Sequence, residues 1–301
     1  MTAADALGAK GPTSVSDPTG FREIRVPLPD VTLRVAYGPA HGDPLLLIHG
    51  VGRAWRDGVP LLPALMPRWS VVAPDLRGHG ASAHTPGRYL IRDYLGDMIA
   101  LLEQCGRPTV IYGHSLGALL GGLLAAQRPD LVRALIAEDP PSPAFLEKLS
   151  ETAYSRIFRA MQSLAGTSRD VGALARQLAA TVIREEGGRV VRFGDIRDGT
   201  AIRFSARWLC DLDPGVYTPI LEQHWRDGLD FPEVWSRVVC PTLLLAGDET
   251  VGGMLPTADA RDIMNRLPDG TLVEFPRVGH QIHWMAGEAT TRVVLGFLES
   301  L

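Results

Sequence analysis

The sequence predicts an α/β protein built on a mostly parallel, doubly wound sheet, with a block of helices inserted into it. Two patterns carry that reading. Runs such as Leu45-Leu46-Leu47-Ile48 and Leu243-Leu244-Leu245-Ala246 are apolar throughout, as strands covered on both faces are, and they alternate with segments of helical period. The alternation lapses after Pro143 and resumes only at Thr242, so the helical stretch between belongs to an insertion.

Taken in order, Phe21 to Val26 and Val31 to Tyr37 alternate like two antiparallel strands around a turn at Pro27, Pro29 and Asp30. Leu45 to Ile48 runs straight into His49-Gly50-Val51-Gly52, and loop glycines after a buried parallel strand mark the edge where α/β proteins place their sites. A helix is expected near Gly58 to Met66, a strand over Ser70 to Ala73, then the loop Asp75-Leu76-Arg77-Gly78-His79-Gly80. Arg88 to Cys105 carries Leu95, Met98, Ile99 and Leu102 at helical spacing. Pro108 to Ile111 and Leu131 to Ala137 read as further covered strands. In the insertion Phe145, Leu149, Ala153, Ile157, Met161 and Leu164, then Val171, Leu174, Leu178 and Val182, keep the helical period, and no strand is expected among them. Ala258 to Leu267 as helix, Thr271 to Phe275 as strand and Ala286 to Leu301 as helix close the chain. The expected organisation is a flexible tail over 1–20, a core of 21–142 and 236–301, and a helical cap over 143–235.

Bulk properties narrow the function. A net charge of -4 and a pI near 6.1 argue against nucleic acid or an anionic membrane as partner. The three cysteines, Cys105, Cys210 and Cys240, are far apart and in no metal-ligand spacing, so no metal is expected and a reducing, cytoplasmic compartment fits best. Residues 1–20 lack a basic stretch followed by an apolar one, and no run approaches the roughly 18 to 20 apolar residues of a membrane span. A homodimer is left open.

The chemistry gathers at Gly113-His114-Ser115-Leu116-Gly117, a G-x-S-x-G stretch between an apolar strand and the helix Ala118 to Gln127. A serine on so tight a turn sits in strained backbone, and Gly113 and Gly117 let neighbouring chain approach where a Cβ would clash. Ser115 then stands at the positive end of the following helix, where backbone N–H groups can stabilise an oxyanion.

Four stretches occur in the order found in the α/β-hydrolase superfamily: His49 to Gly52, Asp75 to Gly80, Gly113 to Gly117, and Gly279-His280-Gln281-Ile282-His283-Trp284. From Phe21 onward the chain resembles the serine hydrolase branch with a helical cap inserted after the sixth strand. The resemblance implies an eight-stranded sheet, Ser115 as nucleophile, His280 as its base, and an oxyanion hole of the Val51 and Leu116 amides. It implies no cofactor. A serine hydroxyl needs such a base near neutral pH, and an imidazole supplies one. His49 and His79 are expected to shape loops, His114 to pack the elbow, and His283 to support the site from behind.

The acid departs from the family pattern. Most relatives carry it three positions beyond a glycine after the seventh strand, but Gly247-Asp248-Glu249-Thr250 offers Thr250 there, which cannot be an anion. Either Asp248 serves from a remodelled loop, or the acid has moved to the end of the sixth strand, where Asp139 precedes Pro140. Asp139 is favoured and Asp248 is the alternative, with Glu138 and Glu249 behind them. The insertion brings many aromatic residues above the elbow, and the pocket is expected to take in His49, His114, Trp208, Trp225 and His283. Its apolar character implies a hydrophobic ester or lactone as substrate. The arginines Arg156, Arg159, Arg203 and Arg207 are candidate anchors for a substrate carboxylate. Two rival readings share these residues: cleavage of an amide, carbamate or carbon-carbon bond by the same triad, and a receptor that keeps the fold without catalysis.

Overall fold

A computed structural model of the protein describes residues 20–39 and 41–301; of the tail expected over residues 1–20, all but the last residue lies outside them. Eight strands form one sheet: β1 (Arg22–Pro27), β2 (Thr32–Tyr37), β3 (Asp43–Ile48), β4 (Trp69–Pro74), β5 (Thr109–His114), β6 (Val132–Glu138), β9 (Thr242–Gly247) and β10 (Gly270–Phe275), in the order β1-β2-β4-β3-β5-β6-β9-β10. β2 runs antiparallel to both β1 and β4, and every other pairing is parallel. The antiparallel pair at the edge and the covered parallel centre agree with the sequence reading.

Alternation along the central strands divides the core in two. Leu46, Ile48, Ile111, Leu135 and Leu244 face one layer, and Leu45, Leu47, Val110, Ile136, Leu243 and Leu245 face the other. The first layer is closed by the helices α1 (Ile91–Cys105) and α2 (Leu116–Gln127), the second by the last helix, Gly287–Glu299. Nearly all of α2 is buried. Its Gly121 and Gly122 explain how it fits, since a Cβ there would stand 2.6 Å from Leu135 and 3.0 Å from Trp235 of the insertion.

Between β6 and β9 the chain runs through helices α3 (Ala153–Leu164), α4 (Val171–Ala180) and α5 (Gly199–Leu209), with Asp170 and Asp198 capping the last two through their carboxylates. One expectation fails here. Val182–Glu186 and Arg189–Arg192 pair as an antiparallel hairpin, β7 and β8, turning on Gly187 and Gly188 at φ 54° and 78°. Two successive left-handed positions are what a type I′ turn requires, and Gly-Gly supplies them. The helix expected near Gly58 to Met66 is also reduced, to a 3₁₀ turn at Trp55–Gly58 and one helical turn at Leu62–Leu65. Among the described residues no helix is long and apolar enough to cross a membrane. All three cysteines are buried free thiols.

Candidate active site

β5 delivers Ser115 to the carboxyl edge of the sheet in a conformation that few non-glycine residues adopt, φ 57° and ψ -115°. The turn tolerates no side chain beside it. A Cβ on Gly113 would lie 2.1 Å from the Gly117 carbonyl oxygen, and one on Gly117 would lie 2.0 Å from that of Ile48. The loop after β3 closes from the other side, since a Cβ on Gly50 would come within 3.1 Å of Ser115 Cβ. Neither the Val51 nor the Leu116 amide has an acceptor among the described residues.

Two buried imidazoles hold that loop. His79 Nε2 accepts from Gly52 N at 3.0 Å, and His49 Nε2 accepts from Leu76 N at 3.0 Å. Both rings must be neutral to accept, and burial secures this by lowering the His49 pKa to about 4 and the His79 pKa well below 6.5. Asp75 ties the next loop to the first by accepting from Trp55 N and Ala81 N.

β6 delivers Asp139, fully buried and itself at φ 45°. Its Oδ2 stands 2.6 Å from His280 Nδ1 and accepts from Met254 N at 2.8 Å, while Oδ1 accepts from Gly247 N at 2.9 Å. Asp248 lies apart from this pair: its oxygens accept from Thr250 N, Thr250 Oγ1 and Arg277 N, which order its own turn. Glu138 is committed elsewhere, to Tyr112 and His283. Burial lowers the His280 pKa, with the Asp139 bond acting in the opposite sense.

Residues 45–294 match the model of the alpha/beta hydrolase family. The chain belongs to that family. It is 27% identical over 273 residues to the magnesium-chelatase 30 kDa subunit of Rhodobacter capsulatus, an alignment that covers 87% of this chain and 89% of that one. It is 28% identical over 295 residues to the 2-(acetamidomethylene)succinate hydrolase of Mesorhizobium japonicum, covering 93% and 96%. A crystal structure titled E-2-(acetamidomethylene)succinate hydrolase superposes with a TM-score of 0.72 at 24% identity, over 93% of this chain and 99% of that one.

This hydrolase has a cavity of about 540 Å³ between the sheet edge and the insertion. Ser115, His280, Val51 and His114 line it together with Tyr154, Ile157, Phe158, Met161 and Phe193. Among the described residues Ser115 Oγ has no hydrogen-bond partner. Four residues expected in the pocket do not line it. His49 is taken up in the loop described above. Trp208 lies beneath the Arg53 guanidinium, 4.8 Å from ring centroid to Cζ, and Trp225 is buried in the core cluster, its carbonyl accepting from Ile91 N. Helical spacing identifies a large buried side chain but not which neighbour it buries against.

His283 is the fourth. It lies behind the site, donating from N and Nδ1 to Glu138 and from Nε2 to the Asp57 carbonyl at 3.1 Å. Burial alone would keep it neutral, but Glu138 and Asp57 push its pKa up to about 10. Glu138 in turn is held down to about 2 against the cost of its burial, chiefly by His283, with His114 acting in the same direction. His114 rests between the two systems, its ring centroid 4.7 Å from that of His280 and 5.0 Å from that of His283. His114, Glu138 and His283 bring ligand-type atoms within 4.8 Å of one another. Both nitrogens of His283 are already donors, however, and a protonated imidazole has no lone pair for a metal.

Sequence reasoning missed Asp57, Arg53, Gln281, Tyr154 and Arg197 as residues of the site or its support. Arg53 and Gln281 had a signal, since they follow directly on the oxyanion loop and on His280. Arg197 had none.

Proposed function

We propose that the protein is a serine hydrolase that cleaves a carboxylic ester or lactone through an acyl-enzyme. Ser115 attacks the carbonyl carbon while His280 Nε2 takes its proton. The tetrahedral oxyanion is stabilised by the Val51 and Leu116 amides, which have no competing acceptor. His280 then gives the proton to the leaving oxygen, and a water activated by the same imidazole releases the acid. Asp139 holds His280 in the tautomer with its proton on Nδ1 and steadies the imidazolium. The single observation that carries this reading is the buried 2.6 Å contact between Asp139 and His280, beside a serine held at φ 57° in the same cavity. The Ser–His hydrogen bond is expected to form in the complex with substrate, as in other hydrolases whose catalytic contacts are loose when empty. Amide cleavage is the second reading, favoured by the name of the Mesorhizobium relative.

A fluorophosphonate probe tests the proposal. Labelling of Ser115 and of no other residue is expected, with the rate rising as His280 loses its proton. Because burial lowers that pKa, the midpoint is expected below pH 6.5. An unlabelled wild-type protein, or a Ser115→Ala protein that labels equally well, would refute it.

A further inference from the structure

The cavity is apolar along the insertion but strongly cationic at its polar points. Arg53, Arg184, Arg197 and Arg277 all line it, and among the described residues no aspartate, glutamate or lysine does. The arginines singled out in the sequence, Arg156, Arg159, Arg203 and Arg207, are exposed and line no part of it.

Arg53 and Arg197 stand out because they are half-buried where Arg184 and Arg277 are exposed, and neither forms an ion pair within 4.0 Å of a carboxylate among the described residues. Arg53 is nonetheless held in place by neutral groups. Its guanidinium stacks over Trp208 and donates to Ser205 Oγ at 3.4 Å. Gln281, with its amide oxygen turned to the guanidinium, accepts from Nη1 at 3.3 Å and from Nη2. Burial lowers the Arg53 pKa, with the nearby Asp57 carboxylate acting in the opposite sense. Arg197 comes from the insertion and, among the described residues, donates only to Met285 Sδ, at 3.7 Å. It is close enough for its charge to bear on Arg53. Two like charges drawn together are costly; the nearby Asp57 carboxylate offsets part of that cost for Arg53, and a bound carboxylate shared by both guanidiniums offsets the rest.

Resting on the serine-hydrolase reading, we propose that the substrate carries a carboxylate within a few bonds of the scissile carbonyl, and that Arg53 and Arg197 hold it. The short separation follows from where Arg53 is fixed. It stands two residues after Val51, whose amide faces the oxyanion, and bonds to Gln281, the residue after His280. The substrate class is the half-ester of a short dicarboxylic acid, or a lactone bearing a free carboxylate, with its apolar part against Ile157, Phe158 and Phe193.

The test compares p-nitrophenyl hemiglutarate with p-nitrophenyl valerate, which differ in the carboxylate. The expected result is a kcat/KM at least about 10-fold higher for the anionic ester, with Arg197→Gln and Arg53→Gln each cutting that preference by about 10- to 100-fold, the usual worth of a charged hydrogen bond. Free glutarate is also expected to inhibit valerate hydrolysis by the wild type and to lose that effect in Arg197→Gln. If the valerate ester is turned over with no preference for the anion, or if the preference and the glutarate inhibition survive both substitutions, the carboxylate site is wrong while the serine hydrolase stands. If neither ester reacts and the fluorophosphonate leaves Ser115 unlabelled, the hydrolase reading itself fails. Binding of glutarate to Ser115→Ala, measured by calorimetry, still decides the anion site in that case.

Discussion

Asp139→Asn is expected to lose about 10³- to 10⁴-fold in kcat on any ester the wild type cleaves, the scale of loss when a triad acid becomes an amide. The reason lies in the three groups around the carboxylate. Oδ1 accepts from Gly247 N, and Oδ2 accepts from Met254 N while facing His280 Nδ1. An asparagine has one oxygen for these donors and must turn its NH₂ against the rest. If the NH₂ meets His280, the imidazole takes the wrong tautomer and Nε2 carries a proton where it should accept one. If the NH₂ meets Gly247, a buried N–H loses its acceptor, and the uncharged amide still cannot stabilise the imidazolium. Asp248→Asn is expected to stay within about threefold of wild type, because Asp248 bonds only its own turn and the Arg277 amide. Steady-state and burst kinetics on p-nitrophenyl esters, with the fold of each variant checked by circular dichroism, read the contrast. Should Asp248→Asn prove the more damaged protein, the assignment of the acid is wrong.

What made Asp139 readable was local. An acid at the end of an apolar run, just before a proline, fits the carboxyl edge of a strand, and the family resemblance made that edge the alternative once Thr250 stood at the usual acid position. The turn glycines were readable for the same reason, since strand, Gly-x-Ser-x-Gly and helix state their geometry within a few residues. The hairpin was equally local, but its Gly-Gly turn is flanked by charged residues and sits amid helical periodicity. Trp208 and Trp225 show where legibility stops. Both are large and buried, and spacing cannot tell a wall of the cavity from a support beneath Arg53. Arg197 and Asp57 depend on contacts made across 88 to 227 residues of chain, and no window of sequence contains them.

The charge on His283 is the other property no window contains, and it leads to the second large effect. Glu138→Gln is expected to destabilise the fold by about 3–5 kcal/mol, the usual result of leaving one member of a buried ion pair behind. The substitution keeps the shape but removes the anion that His283 Nδ1 faces at 2.8 Å, and Glu138 is wholly buried. Its pH dependence separates this from simple misfit. The folded pKa of His283, about 10, lies above the ordinary 6.5, so the stabilisation it supplies is complete below about pH 6.5 and drains away as pH rises toward 10. Glu138, at about 2 against an ordinary 4.5, supplies stabilisation that is complete above about pH 4.5 and is lost as pH falls toward 2. The gap between wild type and Glu138→Gln in urea denaturation is therefore expected to be widest between pH 4.5 and 6.5 and to shrink by pH 9.5. A gap of constant size across that range would mean that His283 is neutral in the native protein. The network behind the site would then be a set of ordinary hydrogen bonds, and His114 would stand beside an uncharged ring.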